Sequence, residues 1–161
     1  MSEQESKKKL SMVVMSGDFD KLFGAFIIAN GAAAMGQEVT MFFTFWGLRA
    51  IKKNVSTGET FFGKMLGVMY GGDITKSNPS HFSFLGMGRW MFGKMMGNRG
   101  VASLIELRDL SVQLGVKLYP CQMSMDVMEI PAEAFIDGVQ DPVGVGFFIG
   151  EADESGTSLF I

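Results

Sequence analysis

No second cysteine occurs in these 161 residues, so no disulfide can form within the chain. A stapled secreted scaffold is thereby excluded, and the one thiol, Cys121, is expected to be free in a reducing, cytoplasmic setting. An excess of positive charge is absent as well. Only 14 Lys+Arg stand against 17 Asp+Glu, for a net charge of −3, and no broad basic field exists to bind nucleic acid. The longest uncharged stretch, Leu22 to Gln37, contains Asn30 and Gly31. It falls short of the roughly 20 apolar residues a membrane span needs and reads instead as a buried helix. The charged N-terminus, MSEQESKKKL, has no apolar core behind it and does not read as a signal peptide. Residues 1–9 are expected to be a flexible tail ahead of one domain over 10–161.

What is abundant is apolar: 47% of residues are hydrophobic, with 14 Met and 15 Phe. That is more apolar surface than one small domain buries, and it predicts a homo-oligomer or a docking face. Leu10 to Met15 is a nearly continuous apolar run, as in a strand buried on both faces. Phe19 to Met35 reads as a helix with Asp18 to cap it and Gly36 to end it. Val39 to Phe45 is a β-branched and aromatic strand closed by Trp46-Gly47. Strand, helix and strand in this order form a βαβ unit with a right-handed crossover.

From Leu48 to Gly100 the alternation gives way to a Met-, Gly- and Phe-rich excursion, with one helix expected over Phe82 to Met96. So long an excursion is functional or interfacial rather than idle. Ser103-Leu104-Ile105-Glu106 is a capping-box pattern and opens a helix with Leu104, Leu107, Leu110 and Leu114 on one face, ended by Gly115. Val116 to Tyr119 is then a strand with Pro120-Cys121 as its exit, followed by a short helix from Gln122 to Met128. A small helix at Ala132 to Phe135, a strand near Ile136 to Val139, a helix over Val143 to Glu154 and a strand from Ser158 to Ile161 complete the pattern. The predicted fold class is α/β, with about five mainly parallel strands and helices on both faces.

In such sheets ligands bind beyond the carboxyl ends of the strands. The exits Gly17-Asp18, Trp46-Gly47 and Pro120-Cys121 therefore mark the functional edge. At the first turn of a helix, Cys121 meets the positive end of the helix dipole, which favours the thiolate. Ser124 is placed to donate a hydrogen bond to the sulfur, whereas Asp126 opposes ionisation unless it faces away. Two readings stand side by side, a reactive thiol at a strand exit and an inert thiol in the core.

The sole histidine, His81, offers a base for a Cys/His pair or is a plain loop residue. Met87, Met91 and Met95 share one helical face. Thioethers can hold Cu(I), but such a stripe reads better as adaptable packing, so no metal is assigned. Arg89, Lys94 and Arg99, with Trp90 and Phe92, suggest peripheral membrane contact through residues 82–99 or the solvated side of an interfacial helix. Arg49, Lys52 and Lys53 either steer an anionic partner or form a charged helix start.

The stretch GVKLYPCQMSMDVMEI, from Gly115 to Ile130, resembles the cysteine segment of DsrE/DsrF/DsrH-like sulfurtransferases, in the branch whose cysteine precedes a Ser-Met-Asp-x-Met pattern. The likeness extends to Thr44–Leu48, Gly86-Met87-Gly88 and Ser158–Ile161, and covers nearly the whole chain from Leu10. Glu129 departs from it, standing where similar sequences tend to carry glycine. The resemblance implies a flavodoxin-like three-layer sandwich, homo-oligomeric assembly, and Cys121 as the residue that accepts sulfane sulfur as a persulfide.

Such a relay needs a sulfur donor, a sulfur acceptor and no cofactor, and a single cysteine suffices for it. A Cys-x-x-Cys oxidoreductase, by contrast, needs a resolving thiol in the same chain. The alternatives are a non-catalytic oligomeric protein that binds a small ligand or partner, favoured if Cys121 is buried, and a peroxide- or redox-responsive thiol protein.

Overall fold

The computed structural model describes residues 8–81 and 83–161. Of the tail expected over residues 1–9, residues 1–7 lie outside them, as does Phe82, where the excursion's helix was expected to begin, whereas Lys9 belongs to the first strand. The apolar runs of the sequence become the central strands β1 (Lys9–Val14) and β2 (Glu38–Phe43), paired in parallel with Met12 beside Met41. Because side chains alternate across a strand, Leu10, Met12, Val14, Val39, Met41 and Phe43 all enter one core. Ser11, Val13, Thr40 and Phe42 face the other way.

The first face is covered by α1 (Phe19–Ala34) and α4 (Leu104–Gln113). Leu22, Ala25, Phe26 and Ala29 of α1 are buried on it, and the Phe26 ring lies 6.2 Å from that of Phe43. Each large apolar side chain buried here contributes about 1.5–3 kcal/mol. Asn30, which has no place in an apolar interface unless paired, donates to the Leu107 carbonyl at 2.9 Å and accepts from Ser111 Oγ at 2.6 Å, tying the two helices together. Ser103 and Glu106 form the expected capping box at the start of α4. Asp18 holds the N-cap position of α1 without a side-chain cap bond. Its carboxylate lies 3.3 Å from Lys21 Nζ, and the Phe19 N–H is taken instead by the Asn78 carbonyl at 2.9 Å.

β3 (Lys117–Pro120) pairs with β2, and β4 (Thr157–Phe160) pairs with the far side of β1, giving the all-parallel order β3-β2-β1-β4. The chain steps from β1 to β2 to β3 over one face and then returns past β1 over the other, by way of α6 (Val145–Asp153). A change of face on reversal of direction is what right-handed crossovers require. The sheet thus has four strands rather than about five. The strand expected near Ile136 to Val139 is reduced to single bridges, Val139 to Leu118 and Val143 to Cys121. Asp137-Gly138 and Asp141-Pro142 interrupt the ladder, and proline has no N–H to give to it.

The excursion holds two helices instead of one. α2 (Phe61–Met69) was not expected, and α3 (Met87–Asn98) follows a 3-10 turn at Phe84–Gly86. The remaining helix, α5 (Gln122–Met128), follows β3 directly.

Candidate functional site

The carboxyl edge of the sheet carries two separate features. The first is the crevice at the reversal of strand order, where β1 has neighbours reached over opposite faces. A cavity of about 450 Å³ opens there, floored by Met15–Asp18 after β1 and by Phe160 and Ile161, and walled by Trp46, Tyr70 and Lys21. Two glycines make it possible. A Cβ on Gly17 would lie 1.8 Å from Tyr70 Oη, and one on Gly47 would lie 2.0 Å from the Val14 carbonyl oxygen. Gly17 therefore lets the tyrosine lie over the β1 exit, and Gly47 lets the β2 exit fold back onto β1. Tyr70 Oη donates to the Trp46 carbonyl at 3.3 Å, and the two rings meet edge-on at 4.6 Å. Burial pushes the Tyr70 phenol above its ordinary pKa, against the opposing effect of the Arg49 guanidinium.

The second feature is Cys121. It is the N-cap residue of α5, with its N–H donating to the Phe43 carbonyl at 2.8 Å and its carbonyl accepting from the Met125 N–H at 3.0 Å. The backbone is thus fixed on both sides, as a thiol at a strand exit requires. The side chain, however, is only 4% exposed. It lies on the second face of the sheet in a small cluster with Phe42 and Phe148, against which Val13, Tyr119, Val143 and Ala152 pack. The Phe42 and Phe148 rings stack at 5.5 Å. α6 is pinned over them by polar links: Thr40 Oγ1 donates to Glu151 at 2.9 Å, and Ser11 Oγ meets Ser155 Oγ at 2.5 Å. The thiol is therefore packed under residues of β2 and α6.

Gly17, Asp18 and Trp46 line the crevice, and Gly47 supports it from behind. Ser124 is buried beside Cys121 in sequence, but its hydroxyl meets Thr44 Oγ1 at 2.7 Å rather than the sulfur. Asp126 is exposed and its carboxylate accepts from Gln122 Nε2 at 2.8 Å, away from the thiol. His81 is exposed on the loop that bonds Asp20 through Ser80, and among the described residues no hydrogen bond joins it to Cys121.

The structure also corrects the reading of Arg49 and Lys52. They are buried, neither steering an approaching partner nor solvated at a helix start. Sequence reasoning missed Tyr70 as a cavity wall, and nothing in Val68-Met69-Tyr70-Gly71-Gly72 signals it.

Comparison with known proteins agrees with this architecture. The model of the DsrE/DsrF/DrsH-like family matches residues 6–160. The chain is 38% identical over 159 residues to the uncharacterized protein YrkE of Bacillus subtilis, covering 98% of this chain and 99% of that protein. It is 34% identical over 172 residues to the sulfur carrier protein DsrE2 of Allochromatium vinosum, covering 96% and 99%. In fold it is similar to the crystal structure of the ychN protein of E. coli, with a TM-score of 0.59 at 12% identity over 96% of this chain and 99% of that one. On the family match over nearly its whole length, and on relatives this similar, the chain belongs to the DsrE/DsrF/DrsH-like family.

Proposed function

We propose that this protein is a sulfur carrier that relays sulfane sulfur between a donor and an acceptor protein as a persulfide on Cys121. The observation that carries the reading is the placement of the only thiol at the carboxyl end of β3, as the N-cap of α5, in a chain that resembles a named sulfur carrier. The Cys121 thiolate attacks the outer sulfur of a donor persulfide. A new S–S bond forms to Sγ, the donor's S–S bond breaks, and the donor leaves as a thiolate. An acceptor thiolate then attacks the outer sulfur of Cys121–S–SH and restores Cys121. Each exchange conserves oxidation state, and its rate follows thiolate fraction and access. Access is the limiting quantity here, because Cys121 is buried in one cluster with Phe42 and Phe148. A donor therefore reacts with a form in which α6 has lifted from Phe42.

The homo-oligomeric assembly that accompanies this reading is supported by Phe61, Phe62, Val68 and Met69 of α2, all largely exposed. Among the described residues no helix is long and apolar enough to cross a membrane.

Incubation of the full chain with a persulfide donor is expected to add the mass of one sulfur atom to wild type and none to Cys121→Ser, read by intact-mass spectrometry. No gain in wild type would overturn the relay. The burial of Cys121 also favours a second reading, in which the aromatic crevice near Gly17 binds a small ligand and the thiol is structural. That reading predicts that Cys121→Ser leaves ligand binding unchanged.

A further inference from the structure

Arg49 and Lys52 sit at the end of the 3-10 segment Phe45–Ile51 and are 9% and 3% exposed. Two buried cations this close repel one another, and each requires compensation for the hydration it gives up. Neither forms an ion pair with a carboxylate among the described residues. Asp18 and Asp73 favour the charged form of Arg49, and Asp73 that of Lys52, but only through space and without a direct pair. Asp18 pairs with Lys21, and Asp73 Oδ1 accepts from the Thr75 N–H and hydroxyl at 3.1 and 2.5 Å. Arg89 adds positive charge near Arg49 rather than relieving it.

What the two side chains do have is partial. Arg49 donates to the Tyr70 carbonyl at 3.0 Å and more weakly to that of Lys76 at 3.5 Å, and its guanidinium carbon lies 3.4 Å above the Tyr70 ring. Arg49 Nε is buried with no acceptor. Lys52 Nζ, which has three donors to place, reaches only the Gly72 carbonyl at 3.4 Å. Burial lowers the pKa of both groups, and for Lys52 the Arg49 charge adds to the effect.

Both side chains line one small cavity closed by Thr57, Leu66, Gly67 and Met128, with a volume of about 20 Å³. That is room for about one water-sized species. We propose that Arg49 and Lys52 form a binding site for a single monovalent anion of halide size, enclosed between the 3-10 segment and α2. The anion supplies the direct counter-charge that Asp18 and Asp73 give only at a distance and an acceptor for the free donors, and it holds α2 against the end of α5. The site is independent of Cys121 and of the sulfur-carrier reading.

The test uses bromide as probe on the full chain. Crystals soaked in sodium bromide are expected to show an anomalous peak within hydrogen-bond reach of Arg49 and Lys52. In solution, replacing gluconate by bromide at constant ionic strength should raise the melting temperature of wild type by about 3–6 °C at ten times the dissociation constant, and thereafter with the logarithm of bromide concentration. Lys52→Met should lose that dependence while remaining at least as stable as wild type in gluconate, since removal of an unpaired buried charge is neutral or stabilising. Arg49→Gln is a second variant with the same expected loss of response. Absence of a bromide peak between the two side chains, or an equal bromide response in wild type and Lys52→Met, would overturn the site.

Discussion

Replacing Phe148 by alanine should uncover Cys121 without touching it. Phe148 is buried against Phe42 and closes the cluster over the thiol. Its loss removes about 1.5–3 kcal/mol of apolar burial and about 0.5–1.5 kcal/mol of ring–ring contact. Undocking of α6 should therefore become easier by about 2–4 kcal/mol. At about 1.4 kcal/mol for each factor of ten, the open population rises about 30- to 700-fold. If alkylation of Cys121 proceeds through that opening, its second-order rate rises by the same factor. The assay is iodoacetamide labelling followed by mass spectrometry over a range of low urea concentrations. A local opening exposes little surface and gives a shallow urea dependence. Leu107→Ala is the control, since Leu107 lies in the core on the opposite face of the sheet and its removal costs a comparable 2–5 kcal/mol. Equal acceleration by Leu107→Ala would mean that labelling runs through global unfolding, and the α6 gate would be refuted.

Glu129 carries a pH prediction whose sign is fixed by its contacts. The Thr60 hydroxyl first, then the backbone N–H groups of Thr60 and Glu59, hold its carboxyl below the ordinary range. A lowered folded pKa gives stability that is present above the unfolded value near 4.3 and is lost as pH falls through the folded one. Wild type should therefore exceed Glu129→Gln in urea-denaturation stability at about pH 6, with the gap narrowing as pH falls below the unfolded value; a gap independent of pH would refute this. Ser103→Ala removes the capping hydroxyl of α4 and should cost about 1 kcal/mol, or about 2–4 °C by calorimetry. A change below half a degree would show that the box is dispensable.

The elements legible in the sequence were those whose patterns are local. β1 and β2 are continuous apolar runs, and α4 announces itself by its capping box and leucine spacing. α2 was hidden because its glycines report tertiary contacts that no window of sequence contains. A Cβ on Gly67 would meet the Thr57 carbonyl at 2.1 Å, and one on Gly63 would meet the Glu129 carboxylate at 1.9 Å. Glu129 itself is informative, since it adopts φ +50°, where glycine is the easy choice. The departure from glycine noticed in the sequence is thus a strained residue whose side chain ties down the start of α2.

At the site, the strand exits Gly17-Asp18, Trp46-Gly47 and Cys121 do lie on one edge. Their division between a crevice and a covered thiol was not legible, because the cover comes from α6, more than twenty residues after Cys121. The burial of Arg49 and Lys52 was equally hidden, since α2 and the Tyr70 carbonyl that enclose them were not expected.

The strand order sets a timetable for synthesis. β1 is central, yet one of its two edges is completed only by β4, where Leu10 pairs with Thr157. At about 5–20 residues per second, a ribosome takes about 7–30 s to get from the end of β1 to the start of β4. For that interval β1 presents a bare flank, the kind of edge that recruits strands from other chains. α6 is made 24–32 residues after Cys121, so the thiol spends only the last of those seconds, about 1–6 s, unroofed. The nascent chain passes through a stage at which its thiol is open to oxidants and partners before the last helix closes over it.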